Sequence, residues 1–159
     1  MLYHRTLSHD DLATIITFPE SKEELFYVSP KFVYPLTPEQ ILALLENRVE
    51  PTVVRDDESD DVLAYANLYD KDDQEGTCWL GNVIVSPRHR GKGVSDFLLF
   101  TMMEKAKVNY GLKKMQLFCH NTNSKGLAFY DKHGFKPVGL NISKTEPVKY
   151  IAIKMERDL

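Results

Sequence analysis

The feature that most constrains this sequence is an apolar strand that leads into a basic glycine turn and then into a long helix. Val83-Ile84-Val85 end the apolar run, Pro87 breaks it, and Arg90-Gly91-Lys92-Gly93 form the turn. After the turn, apolar residues recur with a period of 3.6, which predicts a helix closed by Gly111. A long helix between two strands predicts parallel pairing of those strands within a mixed sheet.

The glycine turn also predicts an anion site. Glycine lets the backbone approach a ligand closely, and the first free N–H groups of the helix point toward that ligand. The macrodipole adds about half a positive charge, which Arg90 and Lys92 reinforce. Two familiar phosphate motifs do not fit. A Walker loop needs glycine where Ser86 stands, and a dinucleotide-binding turn needs a third glycine where Asp96 stands.

A second motif follows between Asn123 and Phe135. Asn123 and Tyr130 are seven residues apart, so two helical turns place them on one face about 10 Å apart. One elongated ligand can touch both. Taken alone, Tyr130 is better interpreted as a packing aromatic residue and Gly134 as a helix stop. Together with the glycine turn, the motif favours a ligand.

Charge is distributed unevenly along the chain. The net charge is -3, but residues 1–80 carry 6 basic and 17 acidic side chains, whereas residues 81–159 carry 14 and 6. This asymmetry suggests that the second half handles an anion and that the first half favours a cation. The alternative interpretation of the acidic runs 56–61 and 70–75 is that they are exposed turns between strands. Nucleic acid binding is disfavoured by the acidic half and the overall sign.

Composition excludes several other classes. The apolar runs, such as Ile41 to Leu45, are far shorter than the ~20 residues that span a bilayer, so we expect no membrane helix. The first residues lack the apolar core of a secretory signal, which makes the cytoplasm the expected location. Cys78 and Cys119 lie in strand-like runs and are interpreted as buried thiols. No metal-ligand spacing is present, so no metal is expected.

The length of 159 residues and the pattern of elements predict one domain over residues 1–159. The expected class is α/β, with a mixed, mostly antiparallel sheet and the order β-α-α-β-β-β-α-β-α-β-β. The predicted helices are 12–18, a segment from Pro38 that ends before Pro51, 94–110 and 123–133. The predicted strands are 2–7, 51–55, 62–69, 77–85, 115–120, 135–140 and 148–155.

With these two motifs in this order, the chain resembles the GNAT superfamily of acyl-coenzyme A dependent N-acyltransferases. Arg90-Gly91-Lys92-Gly93-Val94-Ser95 is similar to the family's pyrophosphate loop, which is Gln or Arg, two residues, Gly, one residue, then Gly or Ala. The segment from Asn123 to Phe135 is similar to the family's Asn…Tyr…Gly-Phe block. Ser95 departs from the final Gly or Ala, and Gly126 stands where Ala is frequent. The strands 77–85 and 114–119 also lack the Asp or Glu that several members use as a general base.

The resemblance implies a sheet splayed between strands 77–85 and 115–120, with acetyl-coenzyme A held between them as cosubstrate. Backbone groups of Val83 and Val85 are then expected to hold the pantetheine and the thioester, and Asn123 to bind the pantetheine arm. Tyr130 is implied as the acid that protonates the departing thiolate, which suits a phenol with a pKa near 10. The pyrophosphate is expected on the backbone of the turn and helix start: Arg90, Gly91, Lys92, Gly93, Val94, Ser95 and Asp96.

An acceptor amine attacks only in its neutral form, so a route for deprotonation is expected. An alkyl ammonium with a pKa near 10.4 loses about 4.6 kcal/mol at pH 7, whereas an α-amine near 7.8 loses about 1. His120, at the end of its strand, is the candidate base. The alternatives are that Asn82, Tyr65 or Tyr69 orders a water, and that His120 only binds backbone.

The leading functional interpretation is acetyl transfer to a primary amine of a small molecule. The acidic first half and its tyrosines favour a cationic or amine-bearing acceptor slightly. The alternatives are acetylation of a protein N-terminus or lysine, and a binding module that senses acyl-coenzyme A without catalysis. The sequence leaves open the identity of the acceptor, the length of the acyl group and whether a homodimer forms. Residues 18–38 and the loop 141–147 are expected to contact the acceptor but contain no translatable motif.

Overall fold

Seven strands form one mixed sheet in the computed structural model, which describes residues 1–144 and 149–159. Their order across the sheet is β1-β2-β3-β4-β5-β7-β6. Neighbours are antiparallel except for β4 and β5, which the longest helix connects, so the predicted exception is confirmed. The strands are β1 Leu2–Thr6, β2 Arg48–Asp56, β3 Val62–Asp72, β4 Thr77–Val85, β5 Lys114–His120, β6 Lys136–Ser143 and β7 Tyr150–Asp158.

Five α-helices connect the strands. They are α1 Leu12–Ile15, α2 Lys22–Val28, α3 Pro38–Leu45, α4 Val94–Tyr110 and α5 Ser124–Lys132. Short 3-10 turns precede α1 and α4. Helix α4 begins after Gly93 and ends at Gly111, both with positive φ, because a left-handed residue at each end lets the chain enter and leave the helix sharply. None of the helices within residues 1–144 and 149–159 is long and apolar enough to span a bilayer.

The structure corrects several predicted boundaries. The helix predicted over 12–18 ends at Ile15, and α2 was not predicted. Residues 141–143 belong to β6 rather than to a loop, while 145–147 lie outside the described residues. The last strand begins at Tyr150 within the described part of the chain, and its predicted start at Val148 lies outside that part.

The two faces of the sheet carry two separate hydrophobic clusters. Side chains alternate along each strand, so Val53 faces one cluster and Val54 the other. The α4-side cluster contains Leu98 of α4 and is covered by α5 as well. The α2-side cluster contains Leu25 of α2 together with buried residues of α1 and α3. Both predicted thiols, Cys78 and Cys119, lie in the α4-side cluster as free buried cysteines.

Strands β4 and β5 pair at one end only. Their ladder has three positions, from Thr77 with Lys114 to Trp79 with Gln116, although both strands continue further. Beyond Trp79, β4 has one residue more than β3, because Tyr65 pairs with Ile84 and Asn67 with Gly81. The extra residue makes a bulge, which bends a strand. The two strands therefore diverge, and the predicted splayed α/β sheet is confirmed.

Candidate active site

The divergence of β4 and β5 opens a cleft with a volume of about 880 Å³. Its walls are the free edges of the two strands, with α5 on one face of the sheet and α2 on the other. Predicted residues that line it are Val83, Val85, Arg90, Ser95, His120, Asn123 and Tyr130. Gly91, Lys92 and Gly93 lie beside it in the exposed turn, next to Arg90. The structure thus brings the two sequence motifs to one cavity.

The glycine turn presents an open backbone. Gly91 has φ 77° and Gly93 has φ 80°, and a Cβ placed on either residue would meet no other atom within 4 Å. Gly93 is the N-cap of α4, so the free N–H groups of the first helical turn begin there. Arg90 pairs with Glu24 of α2, with Nη2 3.1 Å from Oε1. This contact lowers the pKa of Glu24 against the opposing effect of its partial burial.

The side chains of Val94, Ser95 and Asp96, the first three residues of α4, point in different directions. Val94 is 2% exposed and packs in the α4-side cluster, so its side chain cannot reach a ligand and only its backbone can. Ser95 faces the cleft. The Asp96 carboxylate lies 2.6 Å from Nε2 of His133, which ties the start of α4 to the end of α5. Of Asp96, only the backbone N–H remains for an anion.

The edge of β4 offers unpaired backbone groups to the cleft. Ser86 donates its N–H to Leu63 of β3 at 2.8 Å. Backbone groups alternate in direction along a strand, so the N–H groups of Val83 and Val85 point away from β3. No strand within residues 1–144 and 149–159 pairs with them on that side, because the ladder with β5 ends at Trp79.

Tyr130 lies on the α5 side of the cleft. Its ring packs edge-on against Phe129 and Phe135, with centroids 5.3 and 5.7 Å away. Its hydroxyl has no hydrogen-bond partner among residues 1–144 and 149–159, although the side chain borders the cavity. Burial raises the pKa of Tyr130, and the nearby Cys119 raises it further. The phenol is therefore protonated at neutral pH.

Asn123 is the N-cap of α5. Its Oδ1 accepts a hydrogen bond from Gly126 N–H at 3.0 Å, which uses the acceptor of the amide and leaves Nδ2 beside the cleft. A Cβ at Gly126 would crowd Asn123, with 2.9 Å to Cγ. The Asn123 side chain therefore occupies the space that a side chain at residue 126 would take.

His120 lies on the α2 side of the cleft, within an aromatic group. Its ring centroid is 5.1 Å from that of Phe26, 5.4 Å from Tyr27 and 5.8 Å from Tyr150. Nδ1 accepts the backbone N–H of Thr122 at 3.1 Å and lies 2.8 Å from its Oγ1. Thr122 Oγ1 is in turn 2.9 Å from the Tyr27 hydroxyl.

These contacts define how His120 can act. Desolvation lowers the pKa of His120, and the charge of Glu23 opposes that effect. Because Nδ1 accepts from Thr122, the neutral ring carries its proton on Nε2. The hydroxyls of Thr122 and Tyr27 form a continuous chain of contacts that ends at Nδ1. The alternative role considered from the sequence was that His120 only binds backbone, and His120 does bind the backbone N–H of Thr122.

The sequence analysis expected residues 18–38 to contact the acceptor, but it did not predict helix α2 within them and did not single out Arg48. A usable signal for α2 existed, because Ser21 stands three residues before Glu24, the pattern of a helix start. The Ser21 hydroxyl accepts the N–H of Glu24 at 3.1 Å. Phe26 and Tyr27 reach the cleft from this helix. Arg48 had no local signal, since it reaches the cavity across β3.

Arg48 joins a polar cluster on the α2 side. Its Nη1 donates to Oδ1 of Asn67 at 3.0 Å and to Oδ1 of Asn82 at 3.2 Å. Asn67 Nδ2 donates to the Tyr65 hydroxyl at 2.9 Å. Tyr65 is fully buried, which raises its pKa to about 12, and it is not among the residues that border the cavity. Tyr69 and Asn82 do border the cavity.

Among the described residues, no three His, Cys, Asp or Glu side chains are placed to hold a metal ion. What the cleft provides is an open backbone turn, free strand edges, a protonated phenol and a histidine across the sheet. Such an arrangement suits a long ligand with an anionic end and a reactive end between β4 and β5.

Comparison with known proteins identifies the family. The model of the acetyltransferase (GNAT) family matches residues 14–135. The spermine/spermidine N(1)-acetyltransferase of Bacillus subtilis (strain 168) is 26% identical over 68 residues, which cover 43% of this chain. The match spans only 45% of the length of that relative.

Solved structures confirm the fold. A spermidine N-acetyltransferase from Vibrio cholerae, in complex with CoA and spermine, superimposes with a TM-score of 0.80 at 19% identity. The superposition covers 99% of this chain and 95% of that one. An N-acetyltransferase from Staphylococcus aureus Mu50 gives a TM-score of 0.76 at 19% identity, covering 99% and 98%.

The family match covers both sequence motifs and strands β2 to β5, and the solved structures superimpose over 99% of this chain. The resemblance drawn from the two motifs and the expectation of an acyltransferase are confirmed at the level of the family. The chain belongs to the acetyltransferase (GNAT) family.

Proposed function

We propose that the protein is an N-acetyltransferase that moves an acetyl group from acetyl-coenzyme A to a primary amine of a small molecule. The observation that carries the proposal is the cleft between β4 and β5, which has an open glycine turn at one end and the Tyr130 hydroxyl inside it. Acetyl-coenzyme A, when bound, supplies an activated thioester. The complex of the Vibrio cholerae relative with CoA and spermine supports both the cosubstrate and the acceptor class.

In this proposal the turn binds the pyrophosphate. Backbone N–H groups from Gly91 to Asp96 face the anion, and Lys92 and Arg90 add positive charge. Arg90 is paired with Glu24, so its net contribution is smaller than that of Lys92. Val83 and Val85 offer backbone groups to the pantetheine arm and thioester, and Asn123 offers Nδ2.

Tyr130 acts as the acid that protonates the departing thiolate. Its raised pKa keeps the phenol protonated until a stronger base forms beside it. No described residue competes for its hydroxyl, so the proton is available to the sulfur of coenzyme A.

His120 acts as the base for the acceptor ammonium on the other face of the sheet. Its lowered pKa keeps the ring neutral at pH 7, and the proton passes through the Tyr27 and Thr122 hydroxyls to Nδ1. Nδ1 has a single lone pair, so the hydrogen bond from the Thr122 backbone N–H breaks as the ring takes up the proton. The chain of 2.9 and 2.8 Å contacts is short enough for such a transfer.

Turnover with a panel of amines tests the proposal. The panel contains polyamines, amino acids, aminoglycosides and peptides, with release of the thiol and the mass of the product as readouts. Turnover of small amines with a mass gain of one acetyl group supports it. Turnover of peptides alone favours a protein acetyltransferase, and tight binding of acetyl-coenzyme A without release favours a sensing module. Either outcome contradicts the proposal.

The remaining expectations stay predictions. They are a single domain over residues 1–159, a cytoplasmic location, the absence of a metal, of nucleic acid and of membrane binding, and a homodimer as an open possibility.

A further inference from the structure

Arg48 is built into the α2 side of the cleft. Its side chain crosses β3, with Cζ 4.2 Å from the centroid of the Tyr69 ring. Nη1 is fixed by the two side-chain oxygens of Asn67 and Asn82. A Cβ at Gly81 would overlap Nη1, so the glycine makes room for the guanidinium. The group therefore has one defined position beside the bulge of β4.

The charge of Arg48 lacks a counter-ion in the part of the chain that the structure describes. Arg5, Arg55 and Arg90 each pair with a carboxylate, whereas no carboxylate lies within 4.0 Å of Arg48. Desolvation lowers the pKa of Arg48, but a guanidinium stays charged at neutral pH. A partly buried cation of this kind is costly unless an anion compensates it.

The hydrogen bonds of Arg48 leave one edge of the guanidinium free. Nη1 serves both asparagines, while Nε and Nη2 have no acceptor among residues 1–144 and 149–159. The side chain borders the cavity. The Nε–Nη2 edge presents two parallel N–H groups, the geometry that binds a carboxylate through both oxygens.

We propose that Arg48 binds a carboxylate of the acceptor, so that the acceptor is an amine that also carries a carboxylate, such as an amino acid. This inference rests on the proposed function. The phosphates of coenzyme A are assigned to the turn at Gly91 and Gly93, at the start of α4. Arg48 instead lies on the α2 face, because Asn67, which accepts its hydrogen bond, also binds Tyr65 of the α2-side cluster. It is beside Asn82, past the point where the pairing of β4 and β5 ends.

The same geometry disfavours a polyamine. A second ammonium group of spermidine would lie near a cation that has no counter-ion in the described residues, and like charges in a partly desolvated site repel. The acidic first half of the sequence favoured a cationic acceptor. Most of that charge lies in the exposed runs 56–61 and 70–75, outside the cleft. Of the carboxylates that border the cleft, Glu24 is paired with Arg90, and the charge of Glu23 acts on His120.

Matched substrates test the inference. We would measure kcat/KM for L-amino acids, β-alanine and γ-aminobutyrate, each beside its own carboxamide, and for spermidine, with acetyl-coenzyme A as donor. For at least one matched pair, the wild type is expected to favour the acid. In Arg48→Gln the ratio of kcat/KM for acid to amide should fall at least about tenfold, the effect of one lost charge-assisted pair. The ratio is compared between proteins, so the different amine pKa values of acid and amide cancel.

Two further variants separate charge from structure. Arg48→Lys retains the charge without the planar edge and should give an intermediate ratio. Lys107→Gln removes an exposed cation outside the cleft and should leave the ratio unchanged. Binding of coenzyme A by calorimetry should be the same in all variants, which shows that each is folded.

An unchanged ratio in Arg48→Gln, a wild type that favours every amide, or spermidine as the best acceptor would each overturn the inference while leaving acetyl transfer intact. If no amine is turned over, the proposed function fails instead. The inference is then decided by calorimetry of the same acids and amides on the coenzyme A complex. Binding that favours the acid and depends on Arg48 supports it, and no such preference overturns it.

Discussion

Tyr130 and His120 face one cleft from opposite sides of the sheet, and their surroundings shift their pKa values in opposite directions. Burial raises the pKa of the phenol and lowers that of the imidazole, because it disfavours the charged form of each. One side chain is thereby kept as a proton donor and the other as a neutral acceptor. Each role leads to a prediction at the scale of a single residue.

Replacement of Tyr130 by phenylalanine removes the hydroxyl and keeps the ring. We expect Tyr130→Phe to bind acetyl-coenzyme A normally, because the ring contacts with Phe129 and Phe135 remain, and to lose turnover by ~10² or more. Stopped-flow thiol release and calorimetry measure the two quantities. Tyr110→Phe, which removes a hydroxyl outside the cleft, serves as the control. Full turnover in Tyr130→Phe would remove its role as the acid.

His120→Gln tests the base through the pH dependence of kcat/KM. In the wild type, activity should persist from high pH down to the pKa of His120, which lies below 6.5, and fall below it. Without the base, only the neutral amine in solution reacts, so the acid limb moves up toward the pKa of the amine. The deficit should be about 10² at pH 7 and shrink as the pH approaches 10. If the pH profiles of kcat/KM for wild type and His120→Gln were parallel, His120 would have a structural role only.

At the scale of elements, the glycine turn and α4 form one unit for binding an anion. Gly93 is both the N-cap and a residue with φ 80°. We expect Gly93→Asp to weaken coenzyme A binding at least about tenfold, because a carboxylate and its bulk would stand at the phosphates. Calorimetry with coenzyme A measures the change.

Two variants separate the causes of that loss. Gly93→Asn has nearly the same shape without the charge and should retain more binding. Gly111→Asp places a carboxylate at the other left-handed end of the same helix, with φ 64°, and should bind normally despite similar backbone strain. Equal binding by Gly93→Asp and wild type would refute the placement of the phosphates.

Elements were predictable where their signals are local. The bounds of β4 and the end of α4 at Gly111 follow from patterns a few residues long, and both agree with the structure. The bulge at Asn82 could not be predicted, because it depends on how β3 and β4 pair, which no stretch of either strand reveals. The Arg48 guanidinium contacts Asn82 at that bulge, so the presence of this positive charge in the cleft could not be predicted from the sequence either.

At the scale of the whole molecule, the sequence predicted the sheet and the place of the cleft, because the order of elements and the two motifs determine which strands flank the long helix. The sequence did not reveal which functional groups lie on which face of the sheet. The α4 side contains Tyr130 and the turn, and the α2 side contains His120 and Arg48. Along β4, the bulge places Val83 and Val85 on the same face as Leu80, the α4 side.

Two thiols in the α4-side cluster make the stability of the fold decrease at alkaline pH. Burial raises the pKa of the Cys78 and Cys119 thiols from 9.0 to about 11. Because the folded-state pKa is the higher one, the stability that each thiol contributes is fully present below pH 9 and is lost as the pH rises through 11. The melting temperature should therefore fall between pH 8 and pH 11.

Cys78→Ala isolates this effect away from the cleft. The variant should melt lower than the wild type at pH 8, because a small cavity replaces the sulfur, yet its melting temperature should fall less between pH 8 and pH 11. We expect the difference in that fall to be about 2–4 °C, the change that corresponds to about 1 kcal/mol in a domain of this size. Differential scanning calorimetry at several pH values measures it, with Lys113→Gln as a control for replacement of an exposed side chain. Equal falls in wild type and Cys78→Ala would show that the thiol ionises without cost in the core, and that the α4-side cluster admits water to the base of β4.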